Sequence, residues 1–187
     1  MLLHSKTSPL TARLAGDGAP LGEVFTFMSQ LYFRGKLAYA NAFGAAPAGW
    51  SGALVIAPGR GLVAADRVIM AADLHAMAAV PVDEEHAAYR EPLVRDATAL
   101  ATAIGPEGRV VLLGSIATGK YVTPLVDIFG DRLHFPATFV GRGDMSRGGL
   151  LLRSAEDGTP LDYVPVRGAV RNGKRPPKLA KRPRYQI

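Results

Sequence analysis

RVVLLGSIATGKYVTPLVDIFGDRLHFP, residues 109–136, carries the clearest fold signal in the chain. An apolar run from Val110 to Leu113 enters a small-residue turn at Gly114-Ser115. A helical pattern follows from Gly119, and a second apolar run closes the stretch at Pro136. The reading predicts a strand at 109–114, a helix near 119–129 and a short strand at 132–136. Strand, helix, strand is the unit of a parallel sheet, because a parallel return needs a crossover.

Working outward, LGEVFTFMSQLYFRGKLAYANAFG (21–44) places Val24, Phe27, Met28, Leu31, Ala38 and Ala42 at helical spacing, with Gly44 as the stop. Gly35 weakens its interior, which leaves one helix with a close contact at Gly35, or two helices meeting there. GALVIAPGRG (52–61) reads as a buried strand ending at Pro58-Gly59. Val68 to Ala79 reads as mostly helix or irregular. EEHAAYREPLVRDATALATAIG (84–105) reads as a helix interrupted or restarted at Pro92 and closed by Gly105. FVGRGDMSRGG (139–149) reads as a Gly-rich loop, and LLLRSAEDGTPLDYVPV (150–166) as two short strands around the turn Asp157-Gly158. The expected fold is α/β: a single three-layer domain with a mixed, mainly parallel sheet, an added C-terminal β-hairpin and a basic extended tail. The expected organisation is a flexible segment at 1–20, an α/β domain at 21–166 and a tail at 167–187.

The chain has 187 residues, 48% hydrophobic and 20% charged, enough for one domain with a real core. It has no cysteine, which excludes disulfides, zinc-thiolate sites, iron–sulfur clusters and cysteine nucleophiles. That composition fits a reducing cytosol, so the expected location is cytoplasmic. The opening MLLHSKTSPLTARLAG has too short an apolar run for a signal peptide, and no segment has the length to cross a bilayer. The net charge of +6 comes from 22 basic and 16 acidic residues. The tail holds eight of the basic residues and no acidic one: Arg167, Arg171, Lys174, Arg175, Lys178, Lys181, Arg182 and Arg184. The remaining 14 basic residues (22 less 8) face 16 acidic ones, so the body is slightly acidic.

Two glycine-containing segments carry candidate chemistry. Ligands of open α/β sheets sit beyond the carboxyl ends of strands, where a helix N-terminus suits phosphate. Gly114, Ser115, Thr118, Gly119, Lys120 and Tyr121 are therefore candidate ligand contacts, with no acidic side chain in the loop to compete. Gly114 and Gly119 have Walker A spacing, but Tyr121 follows Lys120 where that motif needs Ser or Thr, so a magnesium ligand is missing. The competing reading is a plain strand-to-helix turn with an exposed lysine. In GRGDMSRGG (141–149), Arg142 and Arg147 suit bidentate contacts to phosphate, with Ser146 beside them. Asp144 is the candidate base or ribose ligand. The competing reading is a flexible hairpin entry whose charges pair in water. Arg60, also after a strand, is expected on the same rim. Tyr89-Arg90 and Arg34-Gly35-Lys36 read as substrate contacts or as helix-face residues. His75, His86 and His134 lack metal-ligand spacing, so neither metal nor cofactor is expected. Trp50 and the six tyrosines show no single-strand stacking pattern.

The tail suits nucleic acid by charge, through Arg171, Lys174, Arg175, Lys178, Lys181, Arg182 and Arg184. Its prolines keep it extended. The alternatives are a solvated tail and one packed across the acidic body.

Leu113 to Lys120 resembles the phosphate-side loop of the nucleoside deoxyribosyltransferase family, which cleaves or exchanges the N-glycosidic bond of deoxynucleosides. The resemblance implies a phosphate-binding role for Gly114, Ser115 and Gly119; no counterpart of that family's catalytic glutamate is found. YFRGKLAYANAFG, VIAPGRGLV, YREPLVRDATAL and VVLLGSIATGKYVTPL together resemble an uncharacterised bacterial family of small α/β proteins.

The expected function is recognition of a phosphorylated ligand, a nucleotide or a nucleic-acid end, with hydrolysis or transfer at the nucleotide if the protein is an enzyme. The alternatives are a non-enzymatic nucleic-acid binder acting through the tail, and an assembly subunit using the aromatic segment Phe25 to Phe43.

Overall fold

A computed structural model describes residues 8–170 and 173–180. Helix α1 (Pro9–Ala15) opens with proline at its first position, where a fixed φ and a missing N–H cost nothing. Its Leu10 and Leu14 are buried. Strand β1 (Ala19–Pro20) pairs antiparallel with β4 (Val68–Ile69). The described part of the segment expected to be loose is thus packed, because Leu14 and Ala19 have apolar partners.

Helix α2 (Leu21–Phe43) is a single element with a kink at Gln30, where φ is 48° and ψ is −128°. Phe25 and Phe33 pack across the kink, with ring centroids 5.4 Å apart. Gly35 is the site of a close contact, as one of the two sequence readings holds, and the break lies elsewhere. Gly44 ends the helix. Strand β2 (Leu54–Ala57) stops before Pro58-Gly59, and β3 (Gly61–Ala64) returns antiparallel beside it. Gly59 and Gly61 both have positive φ, 72° and 80°, which makes that reversal accessible. The sequence reading does not contain this return strand.

Helix α3 (Ala71–Ala78) follows β4, and Asp73 accepts the Met70 N–H at 2.8 Å. Helix α4 (Ala87–Ala103) runs through Pro92 without interruption. Proline there removes one backbone hydrogen bond, and burial of Tyr89, Leu93, Ala97 and Leu100 offsets the cost. Burying a large apolar side chain contributes roughly 1.5–3 kcal/mol. Strands β5 (Val110–Val111), β6 (Leu133–Pro136) and β7 (Tyr163–Pro165) form one sheet in that order. The β5–β6 pair is parallel, bridged by α5 (Gly119–Phe129), and β6–β7 is antiparallel.

The largest departure from the sequence reading is α6 (Asp144–Asp157). It covers most of the stretch read as a Gly-rich loop and hairpin. Gly143 is its N-cap, and Gly158, with φ 65°, is its left-handed C-cap. Asp-Gly is a hairpin signal, but a left-handed glycine ends helices equally well. Only β7 survives of the expected hairpin, and it joins β6.

The protein therefore combines helices with small sheets, a mixed α/β arrangement. In place of one mainly parallel sheet there are three small ones, each of two or three strands, among the described residues. One core gathers Tyr89, Leu93, Phe129, Leu133, Phe135, Phe139 and Leu151 around α4, α5, α6 and the three-stranded sheet. A second gathers Leu14, Leu21, Val24, Val55, Ile69 and Met77. Helix α2 joins them, giving Val24 to one and Tyr39 to the other. Residues 173–180 carry no helix or strand. Arg171, Lys181, Arg182 and Arg184 lie outside the described residues.

Candidate functional site

A cleft of about 810 Å³ opens between α2, the β2–β3 hairpin, the 109–115 segment and the starts of α5 and α6. Phe25, Phe33, Phe43 and Phe129 give it apolar walls, and Lys36, Arg109, Ser115, Lys120 and Asp144 give it polar ones. The α2 wall is fixed by Tyr32, whose hydroxyl donates to the Leu113 carbonyl at 3.0 Å. That bond anchors the helix to the end of the β5 segment. Lys36, one turn on, sets its Nζ 3.9 Å from the centroid of the Tyr32 ring.

Burial disfavours the charged form of both groups. It pushes the Tyr32 hydroxyl up to about 12, with the Arg147 guanidinium acting in the opposite direction. It brings the Lys36 ammonium down to about 8, helped by Arg147 and opposed by the Asp144 carboxylate. The start of α5 is fixed by Tyr89, which donates to the Lys120 carbonyl at 3.0 Å. Burial raises the Tyr89 hydroxyl well above the usual phenol range, and the neighbouring Tyr121 and Glu84 raise it further.

The 114–121 loop has an acidic neighbour that the sequence did not reveal. Glu84, on the α3–α4 connection, lays its carboxylate against Gly119 at the first turn of α5. Its Oε2 is buried with no hydrogen-bond partner among the described residues. A carboxylate is favourable beside the positive end of a helix. It stands where a phosphate gripped by the α5 backbone would be expected, so the expectation of no acidic competitor is corrected. Within the loop, the Ser115 hydroxyl accepts the Ala117 N–H at 3.2 Å.

Gly114, Ser115, Thr118, Lys120, Tyr121 and Asp144 all line the cleft. Arg60, Gly119, Arg142, Ser146 and Arg147 do not. Arg60 pairs with Asp73 at 2.5 Å instead of joining the rim. Arg142 donates to the carbonyls of Thr138 and Pro177 and to the Ser146 hydroxyl, at 3.0, 3.3 and 3.1 Å. Arg147 is 12% exposed and gives Nε and Nη2 to the Phe139 carbonyl, at 3.3 and 3.1 Å. Its remaining Nη1 lies 3.6 Å from Asp144. Both forks are engaged with main-chain carbonyls, those of Thr138 and Pro177 for Arg142 and that of Phe139 for Arg147.

Lys36 is a cleft residue that the sequence left open between substrate contact and helix face. Tyr32, Arg109 and Glu84 gave no signal, since their meaning depends on α2, β5 and α5 converging. Among the described residues no three His, Asp or Glu gather as a metal site. His134 sets Nδ1 3.1 Å from the Arg132 carbonyl. No described helix is long and apolar enough to cross a membrane. No protein family, no curated protein and no solved structure matches the chain.

Proposed function

We propose that the protein binds a small phosphorylated organic molecule of the nucleotide class in this cleft. The observation that carries the reading is the joining of aromatic walls to the 114–121 loop in one concavity of about 810 Å³, a size suited to such a ligand. A planar base suits the aromatic wall, and the anion suits Lys120, Arg109 and the Ser115 hydroxyl. Because Glu84 covers the first turn of α5, side chains carry the phosphate contact, not the backbone of that turn. If a bond is broken, Asp144 is the carboxylate of the cleft suited to act as base in hydrolysis or transfer at the nucleotide. Calorimetric titration with a nucleoside monophosphate and its dephosphorylated nucleoside tests the reading. The phosphate ester should bind more tightly, and Lys120→Ala should cost about 1–2 kcal/mol of that preference. Equal binding of ester and nucleoside would sink it.

A second reading, nucleic-acid binding through the tail, is favoured by one observation. Lys174, Arg175 and Lys178 are exposed on a segment without regular structure. Deleting 174–187 should flatten the salt dependence of DNA or RNA binding, by about 0.9 in log–log slope for each duplex phosphate that the tail neutralises. An unchanged slope would remove this reading.

A further inference from the structure

Lys36 stands apart from the other cations of the cleft. It lines the concavity on α2, one residue beyond Gly35, where α6 crosses closest. Its Nζ rests on the face of Tyr32. No described carboxylate lies within ion-pair distance of Lys36, Lys120 or Arg109. What sets Lys36 apart is its closer seat on an aromatic face, 3.9 Å against 5.1 Å for Lys120 over Tyr121. The charged and titratable groups around it are Tyr32 on its own helix, Asp144 and Arg147 on α6, and Lys120 and Tyr121 on the α5 wall. A lysine kept for ionic attraction is best left hydrated or paired. One that is desolvated, unpaired and open to a pocket is instead suited to act as a neutral amine.

We infer that Lys36 is a covalent anchor, whose amine condenses with the carbonyl carbon of an anionic aldehyde or ketone held in the cleft. The inference rests on the cleft reading and narrows its ligand class. The lone pair of the neutral amine adds to the carbonyl carbon, forming the C–N bond of a carbinolamine. One amine proton passes from nitrogen to oxygen to complete the carbinolamine; the second follows it, the oxygen leaves as water, and C=N replaces C=O. Nothing is oxidised or reduced. Asp144, whose carboxylate acts on Lys36 electrostatically, is the group suited to relay these protons. The lowered basicity of Lys36 supplies neutral amine near pH 8, while Arg147 disfavours reprotonation. Lys120 and Arg109 hold the ligand's anionic end.

The test uses the full chain and two aldehyde probes, pyridoxal 5′-phosphate and propanal, each trapped with borohydride and mapped by peptide mass spectrometry. Exposed Lys178 is the internal reference. Pyridoxine 5′-phosphate, which lacks the carbonyl, is titrated in parallel. At pH 7.5 Lys36 should be trapped about tenfold or more faster than Lys178 by both aldehydes, because the neutral amine is the nucleophile. Pyridoxine phosphate should bind saturably and slow the trapping. If pyridoxine phosphate binds while Lys36 is trapped no faster than Lys178, the covalent step is wrong and the cleft reading stands. Preference for Lys36 with propanal alone would remove the anionic part of the inference. If pyridoxine phosphate fails to bind and neither aldehyde prefers Lys36, both the inference and the anion-binding cleft fall.

Discussion

Gly35 of α2 and Gly148 of α6 meet backbone to backbone. A Cβ added to Gly35 would stand 2.5 Å from the Gly148 carbonyl oxygen, and one added to Gly148 would stand 2.7 Å from the Leu31 carbonyl oxygen. Neither neighbour is a side-chain tip that can swing away. The crossing brings Asp144 and Arg147 close to Tyr32 and Lys36, so the geometry of the cleft depends on it.

Gly35→Ala and Gly148→Ala should each destabilise the protein by about 2–3 kcal/mol, because overpacking outweighs alanine's better helix propensity. Gly149→Ala is the control. Its added Cβ would meet only Leu179 Cδ1, at an ordinary 3.5 Å. It should be neutral, or stabilising by up to about 1 kcal/mol. Urea denaturation of the three variants checks the order.

Lys36 links stability to pH with a definite sign. Its folded-state pKa is about 8 against an ordinary 10.5. Between those values the unfolded chain holds a proton that the folded chain has released, so stability rises with pH across that window. Lys36→Met should be the more stable protein at pH 7, and its advantage should shrink by about 2–3 kcal/mol by pH 10. Tyr32, with its folded pKa raised to about 12, opposes this above pH 10, since there the folded chain keeps the proton. Paired denaturation curves at pH 7, 8.5 and 10 measure the difference. A constant gap would show that Lys36 titrates normally.

Two glycines that look equally crowded should respond differently. A Cβ on Gly119 meets the tip of the Glu84 side chain, whereas one on Gly61 meets the Pro92 carbonyl oxygen at 2.5 Å. Gly61 also has φ 80°. Gly119→Ala should cost about 1 kcal/mol or less, as Glu84 rotates away. Gly61→Ala should cost on the order of 2–4 kcal/mol, since strain and backbone overlap act together. Thermal and chemical unfolding distinguish the two.

The Tyr39 hydroxyl joins α2 to the end of the sheet. It accepts the Leu161 N–H at 2.8 Å and hydrogen-bonds the Tyr163 hydroxyl. Tyr39→Phe strips both groups of a partner and should cost about 2–3 kcal/mol. Tyr163→Phe leaves the Leu161 bond intact and should cost about 1 kcal/mol. Equal shifts in denaturant midpoint would contradict this hydrogen-bond order.

Sequence periodicity located the 119–129 helix and the 132–136 strand closely, and it found the helix from 21 to 43. In the first two, local pattern and burial agree: Val122, Leu125 and Phe129 share one buried helical face, and Leu133 and Phe135 alternate into the core. In the 21–43 helix only Val24 of the expected apolar stripe is buried, and Phe27 and Met28 are exposed. Of the residues singled out as candidate ligand contacts, six line a single cleft and five do not. Helix α6 escaped the sequence reading because Gly148 and Gly149 lower helix propensity, and because Asp157-Gly158 signals a hairpin turn as strongly as a helix cap. Gly148 is there for α2. Only its meeting with Gly35 shows that the missing side chains make room for a second backbone. The same holds for charge. That Arg142 and Arg147 are spent on carbonyls, Arg60 on Asp73, and Glu84 on the start of α5 is decided by which elements converge. A polar side chain's role depends on the nearest unpaired group in space, which local sequence spacing does not encode.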